Sequence, residues 1–307
     1  MSLFFIALRQ IVILFLILIV GYIFRKTGMI GGGAKKELTS ILIDVIMPFV
    51  ILNSFLSEEG SEFAALIPKI ALLLFIVYAV SIAYAHLIIR KKSPDLPLYR
   101  LGIIFSNTGF LGIPLLKALY GSLGEFCAIM AMIAFNMVFW CYSGMALSEA
   151  PDLKTSIKKG ISAPFVAVVI ALLLLAFSIK LPSVVMEPIS LIASMNSPLA
   201  MLVTGVTIAE SDLSRLFSPN VISASIHKNI LIPVLLTVIF FALSFFDETA
   251  VAILVTAACP TGALVPAVAI QYNKPTEFPS GLFTFSTVLS MLSLPAFVYI
   301  LNILASR

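Results

Sequence analysis

Charge is scarce in this chain. Asp, Glu, Lys and Arg make up 11% of the residues, against roughly a quarter in a soluble domain, and no polar stretch exceeds about a dozen residues, too few for an independent soluble core. Histidine occurs twice, and no HExxH, Ser–His or paired-aspartate motif is present, which argues against an intramembrane enzyme and leaves no cofactor to expect. The three cysteines, Cys127, Cys141 and Cys259, lie in apolar segments, with neither a disulfide framework nor a zinc spacing. What is abundant is apolar: 61% hydrophobic residues and a mean hydropathy of +1.13 describe a polytopic membrane protein. The net charge of +4 sits in short loops, where it orients the chain in the bilayer and implies no nucleic-acid partner.

Ten apolar segments are legible: Phe4–Phe24, Leu38–Phe55, Ala64–Ile89, Leu101–Tyr120, Phe126–Leu147, Ile161–Ile179, Pro188–Ala209, Val221–Phe246, Ala250–Gln271 and Leu282–Leu304. The first has no basic leader or small-residue cleavage site and is followed by Arg25-Lys26, so a retained span is expected rather than a signal peptide. Basic residues fall in the odd-numbered loops: Arg25, Lys26, Lys35 and Lys36; then Arg90, Lys91, Lys92 and Arg100; then Lys154, Lys158 and Lys159, with Arg215 and Lys274 beyond. Acidic Glu58, Glu59, Glu62, Asp247 and Glu248 mark even-numbered ones. The positive-inside rule places odd loops in the cytoplasm and both termini outside a cell membrane.

Five spans per half force a repeated second half to lie upside down, giving repeats over 1–147 and 161–307 joined by a linker over 148–160. Pro48 and Pro198 are 150 positions apart, Thr108 and Thr261 are 153 apart, and Pro114 and Pro266 are 152 apart. Two segments within this pattern should not stay helical. Asn107-Thr108-Gly109-Phe110-Leu111-Gly112-Ile113-Pro114 and Cys259-Pro260-Thr261-Gly262-Ala263-Leu264-Val265-Pro266 combine glycine with proline, which removes a donor and clashes with the preceding turn. Freed backbone groups cannot face lipid, so both breaks should turn inward. Each creates a helix N-terminus, with Pro114 and Pro266 at the first helical position, and together these termini suit one anion, a carboxylate above all. The candidate substrate-binding residues are Asn107, Thr108, Gly109, Pro114, Pro260, Thr261, Gly262 and Pro266.

Ionisable groups inside a membrane are functional candidates. Asp44, four residues before Pro48, is a candidate for coupling to a proton or sodium ion. Lys228, beside His227, is a candidate to pair with Asp44 or neutralise a substrate carboxylate, or else snorkels to the interface. Asn136 and Asn196 are expected to tie helices together, Gly205 to permit close helix contact, and Trp140 to anchor at an interface.

The run from Ser106 to Gly121, SNTGFLGIPLLKALYG, resembles the fourth-span signature of the auxin efflux carrier family, which includes plant PIN-type carriers and bacterial malonate or malate permeases. Cys259 to Pro266, continued by Gln271-Tyr272-Asn273, is similar to its ninth span. The resemblance implies ten spans in two inverted repeats, a scaffold and a transport domain, and helices four and nine broken and crossing, as in bile acid:sodium symporters. It implies elevator-type transport of small organic anions such as malate, malonate or auxin-like acids, often by homodimers, with Asn107 on the carboxylate, Pro114 and Pro266 at the crossing and Lys228 near a basic position of span eight. A proton- or sodium-coupled symporter of an organic solute is the alternative. Two departures stand out. Only Ser148–Gly160 separates the halves, where plant members carry a long hydrophilic loop, and Thr261 has no acidic neighbour to complete a sodium site.

Overall fold

Lipid offers the backbone no hydrogen bonds, and a helix satisfies its own. A computed structural model describes residues 3–57, 62–90, 93, 95–148, 162–177, 179–211 and 214–305, and it is all-helical, with no strand among those residues. The expected linker beyond Ser148, with its lysines, and Lys91, Lys92, Glu58 and Glu59 lie outside the described residues.

The helices are α1 (Leu3–Lys26), α2 (Ala34–Leu56), α3 (Ala64–Leu87), α4 (Leu96–Ile104), α5 (Thr108–Leu147), α6 (Ala163–Ala176), α7 (Ser183–Ser194), α8 (Asn196–Glu210), α9 (Pro219–Ala242), α10 (Glu248–Ala258), α11 (Leu264–Gln271) and α12 (Glu277–Ala305). Among the described residues seven stretches are long and apolar enough to cross a membrane: α1, α2, α3, α5, α7 with α8, α9 and α12. Two shorter helices, α6 and α10, are also apolar.

The segment expected over Leu101–Tyr120 is divided between the end of α4 and the start of α5, and its second part runs on into the expected span Phe126–Leu147 within α5. There the two are separated by a bend at Tyr120 (φ −130°, ψ 16°) and Gly121 (φ +58°, ψ −140°). Positive φ at Gly121 is open to a residue without Cβ, and the Lys117–Glu125 ion pair, 2.9 Å, spans the bend.

Prolines shape the helices less abruptly than breakage would. Pro48, Pro114 and Pro233 each follow a wider π-helical turn by two residues: Ile41–Ile46, Thr108–Gly112 and His227–Leu231. A proline ring has no N–H for the carbonyl four residues back and collides with it. A π turn widens the helix there and continues it. Asp44, Thr108 with Gly109, and Lys228 all sit on these turns.

Where α1 crosses α8, side chains are replaced by hydrogen. A Cβ on Gly205 would lie 2.0 Å from the Leu18 carbonyl oxygen, and one on Gly21 would lie 2.3 Å from that of Leu202. This is the close backbone approach that packs helices where lipid supplies no hydrophobic drive.

Candidate functional site

The chain leaves helical geometry between α4 and α5, and again between α10 and α11. Phe105 is extended (φ −100°, ψ 123°), and its ring is held among Tyr78, Phe135, Phe139 and Tyr142 at centroid distances of 5.1–5.9 Å. Asn107 (φ −78°, ψ 61°) is the centre of an inverse γ-turn closed by Thr108 N–H donating to Ser106 O at 2.9 Å. The second segment passes through Cys259 (φ −57°, ψ 149°) to Ala263.

These two non-helical segments meet and satisfy each other. Asn107 N–H donates to Pro260 O at 2.7 Å, and Gly262 N–H donates to Phe105 O at 2.9 Å, framing an antiparallel bridge between Ser106 and Thr261. Thr261 N–H donates to Ser286 Oγ at 3.1 Å, and its hydroxyl to Gly102 O at 3.0 Å. Each of these groups would cost several kcal/mol if left bare in hydrocarbon. Small residues let the segments approach: a Cβ on Gly262 would meet Phe135 at 3.2 Å and Ser106 O at 3.4 Å.

Beside the crossing lies a cavity of about 250 Å³. Its polar wall comes from Ser106, Asn107, Thr108, Gly109, Gly262, Asn136 and Asp44; its apolar wall from Met47, Phe110, Met132, Phe135, Trp140 and Leu264 among others. Asn107 is 4% exposed, and its Nδ2 has no hydrogen-bond partner. The first bonds of α5 are donated by Leu111 and Gly112 to Asn107 O, so the N–H groups of Gly109 and Phe110 precede any intrahelical acceptor. Unused donors are thus gathered at one end of the cavity. Asp44 is exposed and has no ion-pair partner among the described residues.

Lys228 does not snorkel. It is 1% exposed, and its ammonium donates to Ser106 Oγ at 2.6 Å and Ala257 O at 3.1 Å, away from Asp44. Ser106 Oγ in turn donates to Ala257 O at 3.1 Å. Because Ser106 lines the cavity and Lys228 lies behind it, a positive charge stands one hydrogen bond from the wall.

Of the residues singled out in the sequence, Asn107, Thr108, Gly109, Gly262 and Asp44 line the cavity. Pro260, Thr261, Pro114, Pro266 and Lys228 do not. Pro260 and Thr261 are consumed in the crossing. Pro114 stands six residues beyond Thr108, because a π turn intervenes, and Pro266 is the third residue of α11, so neither occupies the expected first helical position. Asn136 and Trp140, which the sequence assigned elsewhere, face the cavity, and so does Met132, which the sequence did not single out. Their i, i+4, i+8 spacing is the available signal, since it puts them on one helix face. Asn136 Nδ2 bonds Met132 O within its own helix at 2.9 Å, and the Asn196 amide has no partner, so neither ties helices together through its side chain.

A family model described as membrane transport protein matches residues 6–156 and 150–298. An uncharacterized transporter of Methanocaldococcus jannaschii is 26% identical over 216 residues, 66% of this chain and 69% of the relative. Another, from Methanothermobacter thermautotrophicus, is 23% identical over 292 residues, 93% and 95% respectively. Both matches point to transport rather than enzymatic turnover. The helices and the two matched regions cover nearly the same length, and the chain belongs to the membrane transport protein family that includes the auxin efflux carriers.

Proposed function

We propose that this protein is a secondary transporter of small organic anions, holding a carboxylate at the crossing and working by elevator-type alternating access. The observation that carries this is the unpartnered, buried Asn107 amide facing a cavity where the N–H groups of Gly109 and Phe110 are also unused. A carboxylate accepts from several donors at once, each charge-assisted bond contributing about 1.5–3 kcal/mol, while helix ends and Lys228 supply favourable potential. Thr108, Gly262 and the crossing residues Pro260 and Thr261 hold that geometry, with Pro114 and Pro266 inside the helices that follow.

In this reading ten spans form two inverted repeats over 1–147 and 161–307, with α4 and the first part of α5 as span four and α10 with α11 as span nine. Ion pairs fit that parity: Arg25 with Glu210 at 2.6 Å and Arg215 with Asp95 at 3.6 Å join odd-numbered loops, and Lys69 with Asp247 joins even-numbered ones. The odd loops are cytoplasmic and both termini extracytoplasmic. Helices α1, α2, α6, α7 and α8 act as the scaffold, and α3–α5 with α9–α12 as the moving group, with a second copy of the chain joining through the scaffold.

A second reading is supported by Asp44, a carboxylate without an ion partner on the cavity wall: it carries a proton or sodium ion in symport. Uptake into proteoliposomes under imposed sodium or pH gradients separates the two. For the leading reading, a carboxylate raises the melting temperature of the purified protein, since only the folded state binds it. Asn107→Ala weakens that ligand about 10-fold or more; unchanged binding and uptake in the variant would remove Asn107 from the site.

A further inference from the structure

We propose that the transported carboxylate is a zwitterion, an α-amino acid with an apolar or aromatic side chain, whose ammonium is received by Asp44. This rests on the carboxylate reading above and adds the rest of the ligand to it. The cavity is polarised. At one end are the Asn107 amide and the free N–H groups of α5, with Lys228 behind Ser106. Asp44 is on another helix and supplies the one charged side chain among the described lining residues, which include no Lys, Arg or His. A dicarboxylate would have to bring its second negative charge toward Asp44, with no cation among the described lining residues to offset the repulsion. A monocarboxylate without an amine leaves Asp44 without a partner of opposite charge. A zwitterion matches the charge at both ends.

The remaining wall sets the side chain. Met47, Phe110, Met132, Phe135 and Trp140 line the cavity, a thioether and aromatic surface that adapts to branched, thioether or aromatic groups. The two methionines close over Gly109, where an added Cβ would come within 3.2 Å of Met47 Cε and 3.4 Å of Met132 Sδ. About 250 Å³ accommodates a single amino acid and little more. Asp44 and Met47 belong to α2, whereas Asn107 lies between α4 and α5 and Met132 belongs to α5, so the ligand touches two elements of the fold.

The test uses matched pairs that differ only in the amine: L-phenylalanine against 3-phenylpropionate, and L-leucine against 4-methylpentanoate, with malonate and 2-phenylethylamine alongside. Thermal shifts of the full chain in detergent are read across a concentration series. The amino acids are expected to bind at least 10-fold more tightly than their des-amino partners, and malonate and the amine alone more weakly still. Asp44→Asn should erase the advantage of the amine while leaving 3-phenylpropionate unchanged or tighter, and Asp44→Glu should restore part of it. Equal binding within each pair, or tightest binding by malonate, overturns the zwitterion and leaves the carboxylate reading standing. Failure of every carboxylate to bind overturns both. The wild-type comparison needs no variant and decides the matter even if Asp44→Asn does not fold.

Discussion

Lys228 is the most consequential single residue, because burying an ammonium without a carboxylate carries a desolvation cost that two neutral acceptors, Ser106 Oγ and Ala257 O, offset only in part. Two substitutions should therefore move stability in opposite senses. Lys228→Met keeps the length of the side chain and removes the charge, so the melting temperature of the ligand-free protein should hold or rise, while carboxylate affinity falls about 10-fold with loss of the positive potential behind Ser106. Ser106→Ala leaves the ammonium with one acceptor and should destabilise the protein by about 1–3 kcal/mol. Melting curves of both variants without ligand check this; a drop for Lys228→Met as large as that for Ser106→Ala would show the charge to be a structural anchor. Neither partner of Lys228 was legible in the sequence. Placing a lysine in span eight follows from hydropathy, but its direction depends on the π turn at His227–Leu231 and on the contact between segments about 120 residues apart.

At the scale of elements, glycine and proline told most of what the sequence could tell. Thr-Gly followed by Pro marks the two neighbourhoods where the backbone leaves helical geometry; in the first the non-helical residues, Phe105–Asn107, are separated from Pro114 by a π turn, whereas in the second, Cys259–Ala263, they include Pro260 and the Thr-Gly pair itself. Propensity locates a weak point in a helix, whereas the tertiary partner that satisfies the freed groups fixes where it opens. The crossing of α1 and α8 is the complementary case, a packed contact set by glycine. Gly205→Ala places a methyl 2.0 Å from a backbone oxygen that cannot swing away, so the cost should exceed the usual 1–3 kcal/mol of overpacking. Gly31→Ala, with nothing within 4 Å of the new carbon, is the control and should melt like the parent. The start of α10 gives a pH-dependent test. Burial raises the Asp247 carboxyl, but hydrogen bonds from Lys69 and Ala250 N–H outweigh it and hold the group below its ordinary value. A depressed folded-state value stabilises above the unfolded value of about 3.9 and ceases to do so as pH falls through the folded one. Asn still caps a helix, so the melting difference between the parent and Asp247→Asn should be present at pH 7 and shrink below about pH 4; a difference constant with pH would assign it to the cap alone.

For the whole molecule, the placement of charge bears on motion. None of the five ion pairs among the described residues joins a helix of one proposed group to a helix of the other. Arg25 and Lys35 with Glu210 lie within α1, α2 and α8, Lys69 with Asp247 and Lys117 with Glu125 lie within the other set, and Arg215, on the connection from α8 to α9, pairs with Asp95 just before α4. The cavity lies between the groups, with Asp44 and Met47 on the α2 side and Asn107 and Met132 on the other. Apolar contacts slide at low cost, whereas a buried ion pair across the boundary would have to break in every cycle. The proposed alternating access would separate α2 from α5 near Gly109, where Met47 and Met132 converge. Cysteines at positions 47 and 132, bridged by a short bifunctional thiol reagent in a background free of the native cysteines, should stop uptake, whereas the same variant left unbridged should keep part of it. Cysteines at 25 and 210, joined within one group in place of the 2.6 Å ion pair, should cross-link without stopping uptake. Uptake that continued with positions 47 and 132 fully bridged would rule out relative motion of the two groups at the cavity, and the carrier would have to open by bending of α5 at Tyr120–Gly121 instead.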